Sequence, residues 1–357
     1  MKKIILLICF CCITFNIQAQ TNPFEESYQV LVEMLETPEK YSFKKAVFSV
    51  ENAYYDGGLN IEKIEKQIKG LTEFSNKLLK QRTLDYQEKD KGKINKFATV
   101  FSILTDTIPI HFKDKKAIYV PYAYDFNDPF GHRNWSNMFV SKLLETKRGN
   151  CHSLPYLYKI LVEELGETAH LALAPNHIYI KQRSKRDGWY NTELTSGIFP
   201  IDAWLMASGY IHLDAIKNGV YMKALNNNES IALCLLDLAQ VYNKKIPYND
   251  GKFVLKCCLT ALQYFSNNVN AMLIASEAKR KQIESYLEKM QGKFPDDIFK
   301  HEKSTTLFKQ MEQLVARVHE LGYRKMPEQM YLDWLVSLNA EKQKYSNQKI
   351  NTFKISK

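Results

Sequence analysis

Outside the short apolar run at the N-terminus, no C-x-x-C pair occurs in this chain of 357 residues, and no spacing of His, Cys and carboxylate suits ligation. Those absences argue against a metal centre, a dithiol redox site and a bound cofactor. An apolar run of the ~20 residues that a bilayer span needs is also missing. The N-terminal run from Ile4 to Phe15 covers only about a dozen. Lysine and arginine outnumber the acids 49 to 39, giving a net charge of +10, but the excess is scattered and forms no basic stripe. Aromatic residues, 12% of the chain, fall at core-like spacing without a nucleic-acid motif, so no nucleic-acid partner is expected. The polar stretch Lys181 to Arg186 is the strongest local cluster of charge, and it reads as a solvated hairpin tip.

The short apolar run has its own meaning. Met1-Lys2-Lys3 is a basic stub before it, and Gln18-Ala19-Gln20 supplies a small residue after it. This pattern predicts a secretory signal over residues 1–19, cleaved after Ala19, and hence a secreted or periplasmic protein. Lipid attachment at Cys11 or Cys12 is disfavoured, since neither follows a small residue. Three of the seven cysteines, Cys9, Cys11 and Cys12, leave with the signal, and Cys151, Cys234, Cys257 and Cys258 remain. The last three fall on two expected helices. Packed helices lie ~8–10 Å apart, whereas a disulfide needs Cα atoms within about 7 Å, so free core thiols are expected.

The chain is organised around the stretch from Arg148 to Gly197. Leu154, Leu157, Tyr158, Leu161 and Val162 repeat at helical spacing, with Gly166 at the expected stop. Pro155 has no N–H for the carbonyl four residues back, which is that of Cys151, so the cysteine belongs at the helix start. Asn150 is the expected N-cap. A thiol there feels the positive end of the helix dipole, which favours thiolate, and the unpaired first-turn N–H groups can hold an oxyanion. His152 is adjacent, about 100° away around a helix, and is expected to be exposed or to face substrate.

Two strands follow, one ending A-P-N-H-I-Y-I and one reading G-W-Y-N-T-E-L, with a polar loop Gln182–Gly188 between them. If His177 and Glu193 oppose each other, the pairing is centred on Lys185, in that loop. Alternation puts His177 and Tyr179 on one face, and likewise Trp189, Asn191 and Glu193. A carboxylate facing a histidine would fix its tautomer and steady its charged form, as a Cys–His pair requires. Asp202 is a rival carboxylate without that register.

The segments G-N-C-x-S-L-P-x-L-Y, P-N-H-x-Y-I and W-x-N-x-E-x-T together resemble the core of the transglutaminase-like superfamily of papain-type cysteine enzymes. The resemblance covers about residues 125 to 215. It implies an α+β core in which a cysteine helix packs on a small antiparallel sheet. It also implies Cys151 as nucleophile, His177 as general base and Glu193 as third member, where the superfamily commonly has aspartate. The substrate would be a peptide or protein amide, with water preferred over an amine as acceptor. The alternative is an inactive scaffold of the same type that binds a peptide or an envelope protein.

The flanks read as helices. Stripes at Tyr28/Leu31/Val32/Leu35, Ile61/Ile64/Ile68/Leu71 and Ile94/Phe97/Phe101/Leu104 predict core-facing helices in residues 20–120. An extended aromatic stretch runs from Pro109 to Pro129, and one amphipathic helix is expected from Asn134 to Leu144. Trp135 and Asn137 lie just upstream of the cysteine, and either could line the cleft or help the oxyanion. The core is expected over 121–222, with Ile198 to Ile211 walling the cleft. A helical region over 223–342 resembles about one and a half tetratricopeptide units, a surface for a protein partner, and a frayed tail over 343–357 ends the chain.

Overall fold

The computed structural model describes residues 22–112, 115–341 and 353–355. The expected secretory signal and most of the expected tail lie outside the described residues. Within them the chain is α+β, with thirteen α-helices and four small sheets.

Helices α1 (Pro23–Glu36), α2 (Phe43–Tyr54) and α3 (Ile61–Gln81) lead, followed by β1 (Arg82–Leu84) and α4 (Lys91–Thr105). The expected stripes face the core: Leu31, Leu35, Ile64, Ile68, Phe97 and Phe101 are all buried, whereas Ile61, the first residue of α3, is exposed. Asn60 caps α3 by accepting the Lys63 N–H at 2.9 Å.

The extended stretch forms a hairpin of β2 (Ile108–Phe112) and β3 (Lys115–Tyr119), then β4 (Ala123–Tyr124). The single helix expected from Asn134 to Leu144 is instead a 3-10 turn over Trp135–Met138 and a separate α5 (Val140–Thr146). The cause lies on α2. The buried Glu51 carboxylate accepts the Val140 and Ser141 N–H groups at 2.7 and 2.9 Å, which starts a new helix there. Phe139 is extended between the two pieces. Next, β5 (Arg148–Gly149) runs parallel to β4 with Gly149 opposite Tyr124, so Tyr124 flanks the approach to Cys151.

After α6 (Ser153–Glu164), three strands form an antiparallel sheet: β6 (His170–Ala174), β7 (His177–Ser184) and β8 (Gly188–Thr192). The first expected strand is thus two. Pro175 offers no ladder N–H and Asn176 takes a left-handed φ of 56°, so the chain turns there and pairs Ala174 with His177. The β7–β8 register also differs from expectation. Lys181 pairs with Asn191 and Gln182 with Tyr190, a ladder centred on Arg186 rather than Lys185. The slip between residues opposed is two, so side chains keep their faces.

Two short helices, α7 (Asp202–Ser208) and α8 (Leu213–Lys217), precede a helical array of α9 (Asn227–Lys245), α10 (Lys252–Tyr264), α11 (Val269–Lys289), α12 (Glu302–Glu320) and α13 (Glu328–Glu341). A capping box at Asn226 and Glu229 starts α9. The array is integral to the fold. One continuous apolar cluster extends from Phe24 to Leu338, and α9 packs on α1 and α2. Cys234, Cys257 and Cys258 are free and buried in it. Within the expected frayed tail, β9 (Phe353–Ile355) pairs with β1. Among the described residues, no helix is long and apolar enough to cross a membrane.

Candidate active site

Cys151 is set by the residues on either side of it. The N-cap position of α6 falls at His152, two residues after the expected Asn150. The Asn150 side chain still accepts the His152 and Ser153 N–H groups at 3.0 and 3.3 Å, while its own amide donates to the Pro129 carbonyl at 3.1 Å and to Met138 Sδ at 2.9 Å. Leu154 and Tyr156 donate to the carbonyls of Asn150 and His152, and Pro155 between them has no N–H for that of Cys151. The cysteine therefore sits just before the helix, as expected. Asn150 has no capacity left to aid an oxyanion, and it acts by shaping the turn. The expected first-turn donors are also committed, since Asn150 takes the N–H groups of His152 and Ser153. Among the described residues, only the Cys151 N–H at this turn meets no acceptor.

Gly149 has a packing reason. A Cβ there would lie 2.3 Å from Ser153 Oγ and 2.9 Å from Leu143 Cδ1, and Ser153 Oγ is itself held by the Asn150 N–H and the Asn137 carbonyl, each at 3.1 Å. Gly149→Ala is expected to destabilise the fold by roughly 1–3 kcal/mol, read as a lower urea midpoint. An unchanged midpoint would mean that this turn has slack.

His177 opens β7, and Glu193 comes directly after β8, bridged to Ile198. His177 Nε2 and Glu193 Oε2 are 2.6 Å apart, while Glu193 Oε1 accepts the Thr195 N–H at 2.7 Å. Both side chains are buried, His177 at 3% exposure and Glu193 at 1%. On the other side of the ring stands a residue that the sequence did not mark. The Tyr331 hydroxyl of α13 lies 3.1 Å from His177 Nδ1 and donates to Cys151 Sγ at 3.1 Å. Sulfur and imidazole can thus be no further apart than twice that distance. Trp334, one turn on, meets the His177 ring edge-on with centroids 4.7 Å apart. The Tyr124 hydroxyl is buried beside Cys151 and Tyr331 without a well-formed hydrogen bond.

The electrostatics favour a charged pair. Burial opposes thiolate at Cys151, but the hydrogen bond with His177 and its charge, together with the Tyr331 hydroxyl, outweigh it and hold the thiol below its ordinary range. Burial likewise opposes imidazolium at His177, yet the Glu193 charge and the Cys151 hydrogen bond raise it to about 10. For Glu193 itself, the His177 charge overcomes burial and keeps the carboxyl low. Tyr331→Phe removes a donor to the charged sulfur. It is expected to shift the pH midpoint of Cys151 alkylation upward, by less than loss of His177 does.

A cavity of about 190 Å³ opens beside Cys151 and His177. Its walls come from α2, the 135–139 segment, the β6–β7 turn and α9, so the C-terminal helical region encloses part of the site. Trp135 lines it as expected, with a buried indole N–H that meets no acceptor. His152 also lines it, but is neither exposed nor free. Because α6 starts after it, its ring turns toward α9, where Nε2 meets Asp237 Oδ1 and Nδ1 meets the Met138 carbonyl, each at 2.9 Å. Burial opposes charge on His152, but Asp237 outweighs it and raises its pKa.

Other candidates fall away. Asn137 turns from the cleft to the Asp128 loop, donating to the Asp128 carbonyl and carboxylate at 3.2 and 3.1 Å. Asp202 pairs with Lys181 at 3.1 Å and with Asn191 at 2.7 Å, away from His177. The expected wall α7 does not line the cavity. It supports α13 instead, through Ser208 Oγ accepting the Trp334 indole N–H at 3.0 Å. Tyr331 and Trp334 were missed because nothing in P-E-Q-M-Y-L-D-W-L beyond an aromatic pair at helical spacing marks that face.

No protein-family model, curated protein or solved structure matches the chain.

Proposed function

We propose that this protein is a thiol-dependent acyl-transfer enzyme of transglutaminase-like type that hydrolyses an amide or peptide bond through Cys151, His177 and Glu193. The observation that carries the reading is the continuous contact from sulfur to carboxylate. Tyr331 touches both Cys151 and His177, and Glu193 holds the far ring nitrogen at 2.6 Å. The reaction starts from the charged pair, thiolate and imidazolium, which the His177 hydrogen bond and charge favour. The thiolate attacks the carbonyl carbon, a C–S bond forms, and the carbonyl oxygen becomes an oxyanion facing the Cys151 N–H. Trp135, whose indole N–H lacks a partner, is the second candidate donor. The C–N bond then breaks, and the amine leaves with the proton from His177. Neutral His177 next takes a proton from water, whose oxygen attacks the thioester. The C–S bond breaks, the acid departs, and the pair is restored. With its N-terminal secretory pattern, the proposed enzyme works in a secreted or periplasmic setting.

The test is intact-protein mass spectrometry after brief exposure to p-nitrophenyl esters and an acid quench. The expected result is a single acyl adduct on Cys151, lost in Cys151→Ala and accumulating no further in His177→Ala. Adducts shared among all four cysteines, or none at all, would fit the inactive scaffold instead.

A further inference from the structure

The cavity beside the nucleophile has a character of its own. Its wall carries four ionisable side chains besides the Cys–His pair, Glu51, His152, Tyr156 and Asp237, and each already has a hydrogen-bond partner within the protein. Both Glu51 oxygens accept backbone N–H groups at 2.7 and 2.9 Å. The two Asp237 oxygens are taken by His152 Nε2 and the Tyr156 hydroxyl, each at 2.9 Å. The two His152 nitrogens are spent on Asp237 and the Met138 carbonyl. An anionic guest would lose its water and find no free cation, because His152 is already held by Asp237. The Glu51 carboxyl, pushed up to about 7 by its burial, offers a cationic guest only a partly charged partner. What remains open to a guest is mostly apolar, Val47, Val50, Phe139, Leu173, Leu233 and Leu236, with the unpartnered Trp135 indole N–H among them. The polar amides of Gln240 and the exposed Asn270 also line the space.

Size narrows the guest further. An apolar protein cavity of about 150 Å³ holds benzene, and this one is about 190 Å³. On the opposite side of the Cys–His pair, Tyr331 and Trp334 are packed against the reacting atoms, and the Met326 carbonyl ahead of α13 accepts the Asn176 side-chain amide at 3.2 Å. The reacting pair is therefore closed by α13 on one side and open to an apolar chamber on the other.

We infer that the cavity is a side-chain pocket that selects substrates carrying an uncharged, ring-sized apolar group, aromatic or branched aliphatic, next to the carbonyl that Cys151 attacks. This rests on the acyl-transfer function proposed for the site and adds the substrate class to it.

The experiment uses the unaltered protein and three peptidyl chloromethyl ketones that differ only in the residue bearing the reactive group: phenylalanine, alanine or glutamate. Alkylation of Cys151 is followed by mass spectrometry, with iodoacetamide as a reagent that has no side chain. The phenylalanine reagent is expected to react on the order of tenfold to a hundredfold faster than the alanine reagent, the range that burying one ring supplies. The glutamate reagent should be the slowest. Leu236→Trp, which fills the chamber, should bring the phenylalanine reagent down to the alanine rate. Three equal rates, or a preference for glutamate, would overturn the pocket while rapid iodoacetamide labelling left the Cys–His reading standing. Iodoacetamide labelling no faster than that of an ordinary thiol would bring down that reading and the pocket with it. The ranking in the unaltered protein decides the matter even if the variant fails to fold.

Discussion

His177→Ala is expected to slow alkylation of Cys151 by iodoacetamide by up to about a hundredfold at ~pH 6.5. An ordinary thiol of pKa ~8.5 is only about 1% thiolate there, and thiolate is the attacking form. In the unaltered protein, the His177 hydrogen bond and charge hold Cys151 below that range. With the ring gone, burial of the sulfur is opposed only by the Tyr331 hydroxyl and the His152 charge, so the thiolate fraction should fall. The measurement is the alkylation rate of unaltered and variant proteins across pH, with labelling assigned to Cys151 by peptide mapping. Cys234, Cys257 and Cys258, all fully buried and pushed up by that burial, serve as internal controls. The two profiles should converge at high pH, where both proteins carry thiolate. Parallel profiles at every pH would mean that His177 does not set the charge on the sulfur.

Glu193→Gln should cost stability as well as reactivity. It keeps the shape but leaves an imidazolium buried without its carboxylate, and removing one partner of a buried ion pair costs about 3–5 kcal/mol. Part of that loss is avoided if His177 gives up its proton, and then thiolate character at Cys151 falls as well. The dependence on pH comes from the direction of the shift. Glu193 is held low in the fold, so its contribution is present above the ordinary carboxylate range and fades as pH falls through its folded-state value. The difference in urea midpoint between the two proteins should therefore be large near neutrality and shrink in acid. A constant difference would point to lost packing alone. An absent one would mean that the 2.6 Å contact carries no net stabilisation.

How much of this was legible in the sequence depends on which interactions are local. The start of the cysteine helix could be read because Pro155 and Asn150 act within a few residues of Cys151. The face shared by His177 and Glu193 survived an error in register, because strand side chains alternate and a slip of two residues changes partners without changing faces. The turn at Pro175-Asn176 was readable in principle, as a residue without an N–H before one that tolerates left-handed φ. It was hidden by the apolar run on either side. Other features rest on partners distant in the chain. Phe139 interrupts a helical pattern because Glu51, on another helix, caps the start of α5. His152 is drawn inward by Asp237 on α9, and Tyr331 reaches the sulfur from 180 residues downstream. No periodicity encodes such meetings, since each helix shows only that it has an apolar face and not what that face will cover.

The proposed chemistry turns on the charge state of one sulfur, and a pH titration of thiolate ultraviolet absorbance measures it most directly. The difference between the unaltered protein and Cys151→Ser isolates the residue. The expected trace shows thiolate already present at neutral pH and lost only well below the ordinary thiol range of ~8.5, with the His177 ring resonances changing over the same step. A trace in which thiolate first appears at or above that range, with His177 titrating independently, would contradict a charged Cys151–His177 pair.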